Sequence, residues 1–434
     1  MDEHDLAAAF VRVRAATEAL CAPLAVEDYV VQSMPDASPA KWHLAHTSWF
    51  FEELLLVRRP GYRPFDPTYR YLFNSYYESV GPHHERPARG LLSRPTVAET
   101  MQYRRAVDEA VLDGLPRLGD DERAVLVLGM HHEQQHQELL LTDLQHAFWL
   151  NPLRPAYRDD RKTRDASCVS SLLANHQPAA SIASEETKDR PPRRSKTPEP
   201  AWRTFPEGLF AVGHDGRGFG YDNEFARHRV FLNPFALATR LVTCGDWLAF
   251  MDDGGYRRVG LWLSDGWAAA QAGTWRAPLY WERGESGWWQ FTLSGMRPVE
   301  PAAPVCHVSY YEADAFSRWA GARLPTEEEW ERAAAGLPVA GNFVERGALH
   351  PLAGGASPFG DVWQWTRSAY LPYPGFRPLP GPLGEYNGKF MCNQQVLRGG
   401  SCASPRDHLR ATYRNYFPPS ARWQFTGVRL ARDE

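Results

Sequence analysis

The stretch His131-His132-Glu133-Gln134-Gln135-His136-Gln137-Glu138 decides how the first third of this chain is read. It lies within a run from Asp121 to Phe148. The apolar positions of that run, Val125, Leu126, Leu128, Met130, Leu139, Leu140 and Leu144, keep helical spacing. Asp120 or Asp121 is the expected N-cap. On a helix His132 and His136 stand four residues apart, so their imidazoles leave the same face about one turn apart. Two ring nitrogens placed in this way converge on one transition metal. A pair of this kind with nothing to support it belongs more often to a solvated face. Here the helix is long and otherwise apolar, and a third histidine is available to complete a site.

Three further helices are expected upstream. Residues 5–20 form an Ala-rich amphipathic helix. Ser38-Pro39 opens a second one, with Ser38 as N-cap, running to about Val57. Thr96-Val97-Ala98-Glu99 has capping-box spacing and opens a third, to about Leu118. Four such helices predict a bundle, and bundles build metal sites from side chains on facing helices. His46 shares its helix face with Trp42, Trp49 and Phe50, so it is expected to point inward as the third ligand. His43, one turn earlier and expected nearer the surface, is the competing choice. Three neutral histidines without a carboxylate suit iron, copper, zinc or nickel. Glu138 is read as a partner that supports the ligands from behind.

Between the second and third helices lies a long connection, Pro60 to Pro95, expected to lack regular structure. Loops of that length inside a compact domain are often functional. This one carries Tyr76 and Tyr77, able to donate protons or electrons, and Arg86 and Arg89, able to clamp a carboxylate. A solvated basic turn with packed tyrosines fits the same spacing equally well.

Composition narrows the function classes. Of 434 residues, 43% are hydrophobic and the net charge is −4, with no dense basic run outside one linker. Nucleic acid is therefore not an expected partner. No run of apolar residues is long enough to span a membrane. The N-terminus is acidic, and six scattered cysteines suit reduced thiols, so a cytoplasmic location is expected. The Ser-, Arg- and Pro-rich stretch 152–200 reads as a flexible linker. It separates residues 1–151, the bundle, from residues 201–434. The latter are rich in Gly, Trp and Pro and are expected to carry little regular structure beyond helices at Tyr310–Trp319 and from Thr326. The fold class is thus α+β.

At this point four motifs become informative together. Leu324-Pro325-Thr326-Glu327-Glu328-Glu329-Trp330-Glu331, Gly360-Asp361-Val362-Trp363-Gln364-Trp365-Thr366, Leu397-Arg398-Gly399-Gly400-Ser401 and Gly427-Val428-Arg429-Leu430 resemble formylglycine-generating enzymes, a fold related to C-type lectins. The first half resembles a DinB-like four-helix bundle. Their fusion, with His-x-x-x-His-x-Glu and an upstream Leu-Ala-His, is similar to the sulfoxide synthases of ergothioneine and ovothiol biosynthesis.

The resemblance implies Fe(II) held by His46, His132 and His136. It implies an O2-dependent C–S bond between a cysteine-type thiol and C2 of the imidazole of hercynine. Gln135 and Asn415 are implied to contact hercynine, and Arg86 and Arg89 to hold the thiol's carboxylate. Tyr416, Phe417 and Trp423 are expected to line the trimethylammonium site. Tyr76-Tyr77 resembles the tyrosine pair of a second, cysteine-using subtype. Members that use γ-glutamylcysteine place an aspartate where this chain has Phe417, and their catalytic tyrosine, from the C-terminal half, has no counterpart in these motifs. The competing readings are an ovothiol-type histidine sulfoxide synthase, a cysteine dioxygenase and a DinB-type thiol transferase.

Overall fold

The computed structural model of the chain describes residues 3–158 and 200–434. Its N-terminal half is helical. α1 (Glu3–Cys21) buries Leu6, Phe10, Val13 and Thr17, spaced three or four apart, against α5 (Asp120–Leu150). α2 (Ala40–Phe51) packs on both α5 and α4 (Val97–Gly114), and every one of its side chains is buried. Its last turn widens into a π-helical turn over Glu52–Leu56. α4 opens as its sequence predicts. The Thr96 hydroxyl accepts from Glu99 N at 3.2 Å, and the Glu99 carboxylate accepts from Thr96 N at 2.7 Å.

Two caps differ from expectation. Ser38 does not cap α2. Its N–H donates to Asp143 Oδ2 at 2.8 Å and its hydroxyl accepts from Arg89 Nη1, so tertiary partners have taken its capping groups. α5 begins at Asp120 with Gly119 as the cap residue, whose N–H is taken by Glu122 at 3.0 Å. Neither aspartate caps it. The connection 60–95 is also not structureless. It holds a single turn of helix, α3 (Tyr69–Leu72), and a 3-10 helix over Arg86–Leu91.

The C-terminal half distributes short strands over four small sheets. β1 (Trp202–Phe205), β4 (Phe235–Ala238) and β12 (Ala431–Asp433) form one, which returns the end of the chain to the start of this half. β2 (Gly208–Val212) pairs β3 (His228–Leu232), and β5 (Trp281–Gly284), β6 (Gly287–Thr292) and β7 (Gly295–Pro298) form a meander. The fourth sheet runs β10 (Asn415–Phe417), β9 (Gln395–Arg398), β8 (Trp363–Ala369), β11 (Thr426–Gly427).

Among the described residues four helices accompany these sheets, α6 (Cys244–Asp252), α7 (Ser264–Ala272), α8 (Tyr310–Trp319) and α9 (Glu327–Ala334); α6 and α7 pack on α8, α8 on β8, and α9 on β8 and β9. The acidic run that opens α9 is structural. Thr326 caps it through Glu329, while Glu327 binds Arg414 and Arg398 and Glu331 binds Arg398. Such buried carboxylates persist because each meets a guanidinium with good geometry.

The two halves share one buried cluster, in which Trp49 and Leu128 join Tyr221 and Tyr413. At the start of the expected flexible linker Pro152 and Leu153 are exposed, but Tyr157 is held: its N donates to Leu293 O at 2.8 Å and its hydroxyl to Leu20 O at 2.6 Å. The rest of the expected linker, 159–199, lies outside the described residues. Among the described residues, no helix is long and apolar enough to cross a membrane.

Candidate active site

α5 divides its polar residues between two environments. Glu133 points into the bundle, where it accepts from Arg14 at 2.7 Å, Arg104 at 2.6 Å and Thr17 at 2.6 Å. Burial raises its pKa, but Arg104 and Arg14 prevail and hold it down at about 2. The stripe His131, Gln134, Gln135 and Glu138 instead meets the C-terminal half. Gln134 donates to Asp407 at 2.6 Å, and Glu138 accepts from Trp363 Nε1 at 2.9 Å, from Ser404 Oγ at 2.6 Å and from Ser401 Oγ. Glu138 therefore does not support the histidines from behind. It lies on the wrong side of the helix and docks the C-terminal half.

His132 and His136 sit between these faces, and α2 delivers His46 to meet them. One nitrogen from each of the three lies within 4.8 Å of the others. Ring centroids are 5.0 Å apart for His46 and His132, 4.8 Å for His46 and His136, and 4.5 Å for His132 and His136. The free nitrogens identify what the site lacks. His46 Nδ1 donates to Phe73 O at 2.6 Å, which leaves Nε2 buried with no partner. Both nitrogens of His132 are likewise buried without partners.

His136 is oriented by a relay. Its Nδ1 lies 2.8 Å from His43 Nδ1, and His43 Nε2 lies 3.1 Å from Asp143 Oδ2. Asp143 accepts only, so His43 Nε2 donates and His43 Nδ1 accepts from His136 Nδ1–H. The lone pair of His136 Nε2 is then free for the centre. Burial above all, then the neighbouring imidazoles, depresses the pKa values of His46 and His136, and burial pushes His132 down to about 3. Three neutral imidazoles with unpartnered nitrogens fit one divalent transition ion, which would satisfy donors that cost free energy left bare. His43, expected near the surface, is 2% exposed and faces His136 rather than the centre.

The other expected site residues fall into layers around this triad. Trp42 stacks on His46 at 4.5 Å, and Arg89 Cζ lies 3.4 Å from the centroid of the Trp42 ring. Arg89 is 1% exposed, and among the described residues its hydrogen bonds go to the hydroxyls of Ser38 and Ser75. It is a buried guanidinium with no carboxylate of the described residues in contact. Arg86 is exposed, at the start of the 3-10 helix.

Tyr77 is fully buried behind Trp49, and Tyr76 stacks on it at 4.7 Å. Burial raises both phenols, Tyr76 to about 12. Tyr416 stacks on Tyr370 at 4.0 Å and donates to Asn387. Asn415 Oδ1 accepts from Tyr416 N, and Phe417 pairs with Gln395 across β9. Trp423 packs in a different cluster from Phe417.

Sequence motifs missed one residue that the fold brings in. Tyr386, in the loop after β8, lies with its ring 5.6 Å from that of His132 and donates its hydroxyl to Gln135 Oε1. It is thus a tyrosine of the C-terminal half at the triad, where the motifs showed no counterpart. No periodicity marks it, because it sits in irregular backbone. Gln135 in turn donates to Tyr413 Oη at 2.6 Å.

A helical bundle with an inward histidine triad is joined to a sheet-rich half that packs over it, which defines a two-part enzyme architecture. Both halves match known families. The DinB superfamily matches residues 9–140, and the sulfatase-modifying factor enzyme 1-like domain matches residues 187–356 and 353–434. Hercynine oxygenase of Mycolicibacterium thermoresistibile is 31% identical over 92% of this chain and 88% of its own length. That of Mycobacterium tuberculosis is 32% identical over 92% of each. Formylglycine-generating enzyme of Streptomyces coelicolor is 29% identical over 52% of this chain and 88% of its own length. The chain belongs to the hercynine oxygenase family and is an oxidoreductase.

Proposed function

We propose that this chain is an Fe(II)- and O2-dependent sulfoxide synthase that joins the sulfur of a cysteine-type thiol to C2 of the hercynine imidazole. The observation that carries this reading is the convergence of one nitrogen each from His46, His132 and His136 within 4.8 Å, with those of His46 and His132 buried and without a partner among the described residues. When bound there, Fe(II) supplies the redox chemistry that reduces O2 and oxidises the two substrates. The protein contributes binding, orientation and protons. Arg89, a buried guanidinium without a carboxylate partner, is placed to take the thiol's carboxylate, with Arg86 at the loop's exposed end. Gln135 and Asn415 present amides for hercynine. Tyr386 offers a phenol whose ring lies 5.6 Å from that of His132, and Tyr76 and Tyr77 form a stacked pair of phenols behind Trp49. Residues 1–151 form the metal-binding unit and 201–434 the substrate-closing unit.

The proposed thiol is free cysteine. A phenyl ring at Phe417 cannot accept a hydrogen bond from the ammonium of a bound dipeptide, so that charge would be buried unpaired. Mass spectrometry of a reaction with hercynine, equal concentrations of cysteine and γ-glutamylcysteine, Fe(II) and air tests both statements. The cysteine adduct carrying one sulfoxide oxygen is expected in excess. Cysteine sulfinic acid as the sole product would favour a thiol dioxygenase, and a dominant dipeptide adduct would remove the cysteine preference.

A further inference from the structure

Five side chains, three on irregular segments of the C-terminal half and two on α5, form one continuous hydrogen-bonded chain that ends beside the triad. His131 Nδ1 lies 3.0 Å from His408 Nδ1. His408 Nε2 lies 3.1 Å from Tyr413 Oη, Gln135 Nε2 lies 2.6 Å from the same oxygen, and Gln135 Oε1 bonds Tyr386 Oη. His408, Tyr413 and Tyr386 are each at most 4% exposed, so water does not compete freely for these groups. The chain is braced at its far end. His131 stacks on Phe219 at 3.9 Å, and Arg410, held by Glu224, lies 5.0 Å over the Tyr413 ring.

Every member has both a donor and an acceptor, since a neutral imidazole, a phenol and a carboxamide each offer one of both. Burial, His131 and Arg410 keep His408 neutral. The chain therefore has two self-consistent polarities. In the first, Tyr386 donates to Gln135, Gln135 to Tyr413, Tyr413 to His408 and His408 to His131. The Tyr386 proton is then committed to Gln135. In the second, the Gln135 carboxamide is turned by 180° and every bond reverses. Gln135 then donates to Tyr386, whose proton is released toward its other neighbours, the His132 ring at 5.6 Å and the Tyr221 ring at 5.5 Å. A mixed arrangement either sets two donors or two acceptors against each other or strands the Tyr413 proton in a buried site, and each is costly.

We propose that His408 and Tyr413 are positioning residues which, through the orientation of the Gln135 carboxamide, set whether Tyr386 turns its hydroxyl proton toward the histidine triad. The catalytic consequence rests on the function proposed above, but the orientation itself does not. The experiment uses the full-length protein with 3-fluorotyrosine incorporated at position 386 and no metal or substrate added, read by fluorine NMR. Tyr413→Phe keeps the ring under Arg410 and removes the link. It is expected to move the position-386 resonance, and His408→Leu to move it likewise. His408→Gln, which retains a donor and an acceptor, is expected to restore it toward the unsubstituted protein.

In the hercynine assay, Tyr413→Phe should lower kcat about tenfold, the equivalent of one oriented hydrogen bond, with iron content unchanged. An unmoved resonance in both Tyr413→Phe and His408→Leu would overturn the proposal whatever the activity. A moved resonance with unchanged kcat would overturn its catalytic part. If the unsubstituted enzyme makes no adduct at all, the function proposed above fails, and the resonance still decides the orientation. Should Tyr413→Phe fail to fold, the comparison of His408→Leu with His408→Gln gives the same decision.

Discussion

His43 shows how much one residue's role depends on neighbours distant in sequence. Its ring holds the Nδ1 proton of His136 on one side and the Asp143 carboxylate on the other. Without it, His136 has no partner to fix the tautomer that frees Nε2. Replacing His43 with Ala is expected to weaken Fe(II) binding about ten- to a hundred-fold without abolishing it, as for other residues that orient a ligand from behind. Anaerobic equilibrium dialysis measures this, and unchanged affinity would show that His136 needs no such orientation.

The sequence made His46 legible because Trp42, Trp49 and Phe50 share its helix face. It made His43 ambiguous because a three-residue spacing does not say which of two inward imidazoles reaches the centre. Tyr386 was invisible, since irregular backbone carries no period from which a side chain's direction can be read.

At the scale of single elements, α5 carries the most information. Its His132/His136 spacing and apolar run were readable directly. The division of its polar residues was not, because Glu133 and Glu138 differ only in which partner lies opposite. Glu133 accepts from Arg14, Arg104 and Thr17 inside the bundle, and its folded pKa is about 2 against an ordinary 4.5. A depressed carboxylate contributes stability that is fully present above pH ~4.5 and lost as pH falls toward 2, up to about 3 kcal/mol for this shift.

Asp108, raised by burial in the same network, offsets part of it. Glu133→Gln is expected to destabilise the fold at pH 7 by about 3–5 kcal/mol, since it strands buried arginine charge. Its stability should also vary less between pH 5 and 3 than that of the unsubstituted protein. Urea unfolding at both pH values checks this, and parallel pH dependence would show that other carboxylates dominate. The caps at Thr96 and Thr326 were readable because a capping box is local. That of Ser38 was not, because Arg89 and Asp143 claim its groups from afar.

At the scale of the whole molecule, the site exists because the halves meet along α5. Glu138 receives Trp363, Ser401 and Ser404, and Glu385 receives the N–H groups of Glu78 and Ser79, tying the tyrosine-bearing loop to the C-terminal half. Glu138→Ala leaves three donors without their acceptor and is expected to cost at least about 2 kcal/mol. Thermal unfolding and limited proteolysis should both report it, and an unchanged melting temperature would show that the interface does not depend on this carboxylate. The bundle was legible from periodicity and the α+β class from the family motifs, while the four sheets of the C-terminal half were not, because its strands are too short to carry a period. The halves' mode of docking was not legible either, because side chains such as Glu138 and Trp363 meet across 225 residues and no local pattern links them.

Iron stoichiometry tests the triad itself. Anaerobic titration of the apo-protein with Fe(II) is predicted to give one tightly bound iron per chain, and His46→Ala is predicted to lose stoichiometric binding while keeping its helical content. Full, tight iron binding by His46→Ala would contradict the account and place the metal elsewhere.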